Sequence, residues 1–114
     1  MIIEQASLRD ISAIRSIALT TWPVAYKEIL SPAQLAYMLE LMYSEVALTE
    51  QMASRGHRFL LAIEEGKCIG FAGFEHKYSG GDSTRLHKLY VLPIAQGCGA
   101  GSTLLNAVEA AALE

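Results

Sequence analysis

Three glycines within five residues, Gly97, Gly99 and Gly101, separate a β-rich run ending at Val91 from a strongly helical run after Ser102. Few folds place such a loop between a strand end and a helix start. The first turn of a helix carries unpaired N–H groups and about half a positive charge, so it attracts anions. Glycines let phosphate oxygens approach the backbone, and three of them would otherwise loosen a helix start to no purpose. The segment Gln96 to Ser102 is therefore expected to hold a phosphate or pyrophosphate. Pro93 stops the preceding strand, and Leu104, Leu105, Val108 and Ala112 are expected to form the buried face of the helix that follows.

Two familiar phosphate loops do not fit. A P-loop needs a lysine and then Ser or Thr after its last glycine; Ser102 and Thr103 are present here, the lysine is not. A dinucleotide fingerprint needs G-x-G-x-x-G directly after the strand and an acid about 20 residues further on. Here the spacing is G-x-G-x-G, it starts several residues after Val91, and the 114-residue sequence provides no such acid. A formal charge of -3 and singly scattered basic residues exclude the clustered positive surface of a nucleic-acid binder. No apolar run reaches the roughly 20 residues of a membrane span, and the N-terminus MIIEQASLRD lacks a basic and then apolar leader. A cytoplasmic protein without membrane partners is the expectation, with Cys68 and Cys98 as reduced thiols. Neither cysteine has metal-ligand spacing, and no metal is expected.

The rest of the chain reads as one domain of alternating elements. Ile2–Gln5 is a short strand. Ser7 and Asp10 suggest a capping box, with Ser7 accepting from the Asp10 N–H, before a helix striped by Leu8, Ile11, Ile14 and Ala18, which should end at Trp22-Pro23. Ser31, Pro32 and Gln34 start a second helix that buries Leu35, Met38, Leu39 and Met42. Ser44 caps a third, through Val46, Leu48 and Met52, closed near Gly56 as a left-handed C′ residue. From Arg58 the period changes to that of strands: Phe59–Ile63, a turn at Glu64–Lys67, Cys68–His76, a turn at Ser79–Asp82, and Thr84–Val91. Gly70 and Gly73 inside the middle strand imply a bulge or a close approach by backbone or ligand. Simple alternation puts Leu86, Lys88 and Tyr90 on one face and His87, Leu89 and Val91 on the other.

The stretch Leu89-Tyr90-Val91-Leu92-Pro93-Ile94-Ala95-Gln96-Gly97-Cys98-Gly99-Ala100-Gly101 closely resembles the acetyl-CoA signature of the Gcn5-related N-acetyltransferase (GNAT) superfamily, V-x-P-x-x-[QR]-G-x-G-x-[GA]. The order of elements resembles that family over nearly the whole chain. The resemblance implies an α/β (α+β) fold, a mixed, mainly antiparallel sheet flanked by helices in the order β-α-α-(α)-β-β-β-α. Residues 1–57 would form the acceptor side, and residues 58–114 the strands and the acetyl-CoA loop and helix.

Site roles follow from the same resemblance. The backbone of Leu89, Tyr90 and Val91 would pair with the pantetheine arm, and one N–H would polarise the thioester carbonyl. The loop Gln96, Gly97, Cys98, Gly99, Ala100, Gly101 and Ser102 would hold the pyrophosphate, with N–H groups of Gln96, Gly97, Gly99, Ala100 and Gly101 as donors. Direct attack by a primary amine needs a base, because such amines are mostly protonated at neutral pH. His87 is the first candidate and Glu75 the second; many family members carry a glutamate on the strand that here runs from Thr84 to Val91 without an acid. Trp22, Tyr26 and Tyr37 are candidates for an aromatic wall around a cationic acceptor, a small-molecule or peptide amine. His57 and His76 lack metal-spaced partners and read as surface residues.

The family's fold continues with further strands and a helix, so the sequence reads as a C-terminally incomplete domain. Two functions are compatible with it: an N-acetyltransferase, or a non-catalytic remnant that binds coenzyme A or self-associates, for example as a homodimer, through its exposed strand.

Overall fold

The computed structural model describes residues 1–76 and 83–113; the expected turn at Ser79–Asp82 lies outside them. Strands β1 (Ile2–Gln5), β2 (His57–Glu64), β3 (Lys67–Glu75) and β4 (Arg85–Val91) form one antiparallel sheet in the order β1-β2-β3-β4. Helices α1 (Ile11–Tyr26), α2 (Pro32–Tyr43) and α3 (Glu45–Ala53) precede β2, and α4 (Ala100–Ala112) follows β4. One face of the sheet, carrying Phe59, Leu61 and Phe71, packs on Ile14, Ile17, Trp22, Leu39, Tyr43 and Leu48 of the first three helices. The other face, carrying Leu60, Ala62, Ala72 and Phe74, packs on Ala100, Leu104, Val108 and Ala111 of α4. The strict alternation of β2 feeds both layers, since successive side chains point to opposite sides.

Several boundaries differ from the sequence reading. Leu8 belongs to a 3-10 turn, Leu8–Asp10, and is 54% exposed, so the buried stripe begins at Ile11 and extends through Ile17, Thr21 and Trp22. The Ser7–Asp10 capping box is present, with Asp10 reaching back to the Ser7 N–H at 2.8 Å, and the Asp10 N–H also donates to the Ser7 carbonyl at 2.9 Å. Helix α1 also runs through Pro23 to Tyr26. Pro23 lies on the exposed side with Leu19, so the carbonyl that loses its donor there can bond water. The ring of Trp22 is buried and lies 4.7 Å from that of Tyr26, a contact that favours continuing the helix.

The cap at α2 forms as read: Gln34 N–H donates to Ser31 Oγ at 3.1 Å and Ser31 N–H to Gln34 Oε1 at 2.9 Å. Its most deeply buried residues are Leu39 and Tyr43, with Leu35, Met38 and Met42 half-buried. In α3, Leu48 and Gln51 are buried, whereas Val46 is exposed. Gly56 has φ +68, but it follows the helix end at Ala53 by three residues and so lies past the C′ position. In α4, Ala100 and Ala111 complete the buried face with Leu104 and Val108; Leu105 and Ala112 point outward.

Candidate active site

The loop after β4 is built so that several N–H groups have no partner among the described residues. Pro93–Ala95 forms a 3-10 turn, Gly97 and Gly99 take φ values of +92 and +87, and Gly99 is the N-cap of α4. A side chain at either glycine would strain the backbone, although nothing lies within 4 Å of its Cβ position. Thr103 makes the first helical bond, to the Gly99 carbonyl at 3.0 Å. The N–H groups of Ala100, Gly101 and Ser102 therefore occupy the unpaired first turn. One donor expected in this set turns back instead: Gln96 N–H lies 3.3 Å from the Pro93 carbonyl, and the neighbouring Cys98 N–H, outside that set, lies 3.4 Å from that of Ala95. The Gln96 side chain donates to the Val91 carbonyl at 3.2 Å, which ties the loop to the strand end. Val91, Ala95, Gln96, Gly97, Gly99, Ala100, Gly101 and Ser102 line a depression of about 420 Å³.

This depression opens beside the free side of β4. Leu92 N–H donates to the Ile69 carbonyl at 2.8 Å, and the register pairs Val91 with Gly70, Tyr90 with Phe71 and Leu89 with Ala72. Bonded and non-bonded pairs alternate in an antiparallel ladder. The backbone of Tyr90 is accordingly engaged with β3, while the polar groups of Leu89 and Val91 point to the open edge. The equal roles expected for these three backbones are thus corrected: Tyr90 contributes its side chain instead, with its hydroxyl 3.0 Å from that of Tyr26 on the helical face. Burial and this bond raise the Tyr90 pKa.

Upstream, β4 contains an extra residue. Gly73 pairs with Lys88 but Phe74 pairs with Leu86, which leaves His87 as a bulge. The bulge reverses the expected alternation: His87 and Lys88 both face the α1–α3 side, and Leu86 moves to the α4 side opposite Phe74. The two glycines of β3 serve this packing. A Cβ on Gly70 would sit 2.9 Å from the Tyr90 carbonyl, and one on Gly73 would sit 2.9 Å from the Phe59 ring. The close approach they permit is by the protein's own backbone and ring. The bulge of β3 itself lies at Ile69, beside Gly70.

On that side His57, Glu75, Arg85, His87 and Lys88, with Leu41, Met42, Gln51 and Arg55, line a cleft of about 880 Å³. Glu75 Oε1 lies 3.0 Å from His87 Nε2 and 3.3 Å from His57 Nε2, and the two imidazoles stack at 4.4 Å with planes 10° apart. The structure thus joins the two base candidates in one hydrogen-bonded pair. It also adds His57, which is half-buried rather than a surface residue. Burial, and then His87, lower the His57 pKa against the pull of Glu75. His76 likewise bonds Thr84 Oγ1 at 3.0 Å and is half-buried. Nothing but the β2–β3–β4 register brings His57 to Glu75 and His87, so linear spacing carries no sign of it.

Lys88 is 6% exposed, and its Nζ donates to Gln51 Oε1 at 2.5 Å and lies 4.6 Å from the centre of the Tyr43 ring. Burial lowers its pKa to about 8. The expected aromatic wall is only partly assembled. Trp22 and Tyr26 meet, but Trp22 is 5% exposed and belongs to the core. Tyr37 is 66% exposed and has no ring contact among the described residues. Cys68 and Cys98 are free. No helix among the described residues is long and apolar enough to cross a membrane.

The sequence profile of the acetyltransferase (GNAT) family matches residues 11–114, and the chain belongs to that family. It is 27% identical over 108 residues to an uncharacterised N-acetyltransferase of Mycobacterium tuberculosis, an alignment that covers 94% of this chain and 67% of the relative. The fold is similar to that of the PaiA N-acetyltransferase of Thermoplasma acidophilum in complex with coenzyme A, with a TM-score of 0.80, 23% identity, and coverage of 98% of this chain and 72% of that one. It is similar also to a GCN5-related N-acetyltransferase of Rhodopseudomonas palustris, with a TM-score of 0.77, 21% identity, and coverage of 97% and 64%.

Proposed function

We propose that this chain transfers an acetyl group from acetyl-CoA to a primary amine by direct attack. The observation that carries the reading is the conjunction of a row of unpaired N–H groups, at Gly97, Gly99, Ala100, Gly101 and Ser102, with the open edge at Leu89 and Val91. A pyrophosphate needs donors that converge without side chains in the way, and the loop offers them at the positive end of α4. An extended, amide-bearing arm needs a free strand edge, and β4 offers one on the same side. The bound thioester supplies the electrophilic carbonyl.

The remaining work falls to side chains across the sheet. His87 and Glu75 accept the proton that the attacking ammonium must lose, His87 as the acceptor and Glu75 as the carboxylate that orients its ring. At about 3.3 Å per residue, His87 lies roughly 7 Å along the strand from Leu89, a gap that the amine together with a water spans. The cleft in front of this pair is the acceptor site, and Tyr26 with Tyr90 forms part of its approach.

Incubation of the protein with acetyl-CoA and a panel of primary amines, read by mass spectrometry for the gain of one acetyl group on the amine, tests the proposal. Coenzyme A binding by calorimetry is measured in parallel. Turnover of at least one amine is expected. Binding without turnover of any amine would favour the non-catalytic alternative, and absence of binding would remove both the transferase and the coenzyme A-binding remnant, leaving only self-association.

A further inference from the structure

We infer that His57, Glu75 and His87 form a binding site for a divalent transition-metal ion of the zinc class, reached through the cleft between α2, α3 and the sheet. One ligand atom from each of the three residues lies within 4.8 Å of the others. The two nearest spacings, 3.0 and 3.3 Å between Glu75 Oε1 and the imidazole Nε2 atoms, are close to the ~3.3 Å expected between neighbouring ligands of a tetrahedral ion bound at roughly 2.0–2.1 Å. Two imidazoles and one carboxylate form a donor set suited to Zn²⁺, Co²⁺, Ni²⁺ or Cu²⁺, with a fourth position left for water on the cleft side.

The surroundings narrow the ion further. Arg55, Arg85 and Lys88 line the same cleft, and Glu75 is the only acidic residue lining it among the described residues. A hard cation such as Mg²⁺ or Ca²⁺, which depends on several anionic oxygens, is disfavoured there. An ion held mainly by nitrogen is favoured. His87 Nε2 shares a hydrogen bond with Glu75 Oε1 and His57 Nε2 lies 3.3 Å from the same oxygen, so the three ligand atoms are gathered in one place and the carboxylate has to swing aside to admit the ion. On binding, each ring would coordinate through Nε2 as the neutral tautomer that carries its proton on Nδ1.

The ion and the catalytic proton compete for the same atoms, so metal binding is expected to inhibit turnover; that consequence, unlike the site itself, rests on the acetyltransferase reading. The test uses the full chain stripped of metal with a chelator and titrated with Co²⁺ in the visible, followed by displacement with Zn²⁺. One Co²⁺ per chain, with the absorption bands of a four-coordinate site that Zn²⁺ abolishes, is expected. His57→Gln and Glu75→Gln, checked for folding by circular dichroism, should each weaken Co²⁺ binding by at least about tenfold. Absence of the bands in the wild-type protein, or their persistence in both variants, would overturn the site. Coenzyme A binding reads out separately at the glycine loop, so failure of one assignment leaves the other standing.

Discussion

The two faces of the sheet build their candidate sites from different materials. On the α4 side the groups are backbone N–H atoms, presented by glycines at positive φ and by the first turn of one helix. On the α1–α3 side they are side chains from three strands and two helices, brought together by register and by a bulge. A backbone site depends on chain conformation and tolerates few residue types at its turning points. A side-chain site depends on pairing, and each of its members looks ordinary in isolation. Substitutions on the first face should therefore act on cofactor affinity, and those on the second on turnover and on charge.

The largest effect should come from the second face. His87→Ala should lower turnover by about 10²–10⁴-fold while coenzyme A affinity by calorimetry stays within error. If affinity fell together with turnover, the two faces would not be separable. Gly99→Val comes next. Valine is strained at φ +87, and losing two charge-assisted hydrogen bonds of roughly 1.5–3 kcal/mol each should weaken coenzyme A binding about a hundredfold or more, with the circular-dichroism spectrum retained. Undiminished binding would remove the loop from the site.

Lys88 gives a smaller effect with a definite sign. Its pKa is about 8 in the fold and higher in the unfolded chain, so the unfolded state binds more protons between roughly pH 8 and 10.4. The cost of burying its charge is present below pH 8 and is relieved as pH rises through that window. Stability by urea denaturation should rise there by roughly 1–3 kcal/mol relative to Lys88→Met, with the Tyr43 ring contact keeping the gain toward the lower end. A flat difference between the two proteins would mean that Lys88 is not held in a charge-averse position. Smallest of all, Tyr37→Ala should change stability by less than about 0.5 kcal/mol and leave the KM for the amine unchanged, since the ring projects from α2 into solvent. A raised KM would restore Tyr37 to the acceptor wall.

How much could be read in the sequence follows the same division. The loop, the helix after it, the strand order and the Ser31 cap were legible, because glycine spacing, period and capping are local in the chain. The exception on that face is small: Gln96 turns its N–H group inward, a detail of the 3-10 turn that Pro93 starts. Less of the second face could be read. His57 carried no local sign of its role, since its partners Glu75 and His87 reach it only through strand pairing. Trp22 was legible as a large aromatic near a helix end but not as core, because its burial depends on Tyr43 and Tyr90, which lie far along the chain. Pro23 misled for a related reason: a local rule against helix met a tertiary contact that favoured it.

The single unmatched residue of β4 behaves like a spacer in a gear train. Deleting His87 would give the strand an unbroken ladder, a gain in regularity that folding assays would score as harmless or better. The same deletion would keep Leu86 opposite Phe74 and Arg85 opposite Glu75, yet would take from Glu75 the nearer of its two imidazoles. The less regular strand is the one with a candidate site, and an attempt to tidy the sheet by design should spare this position.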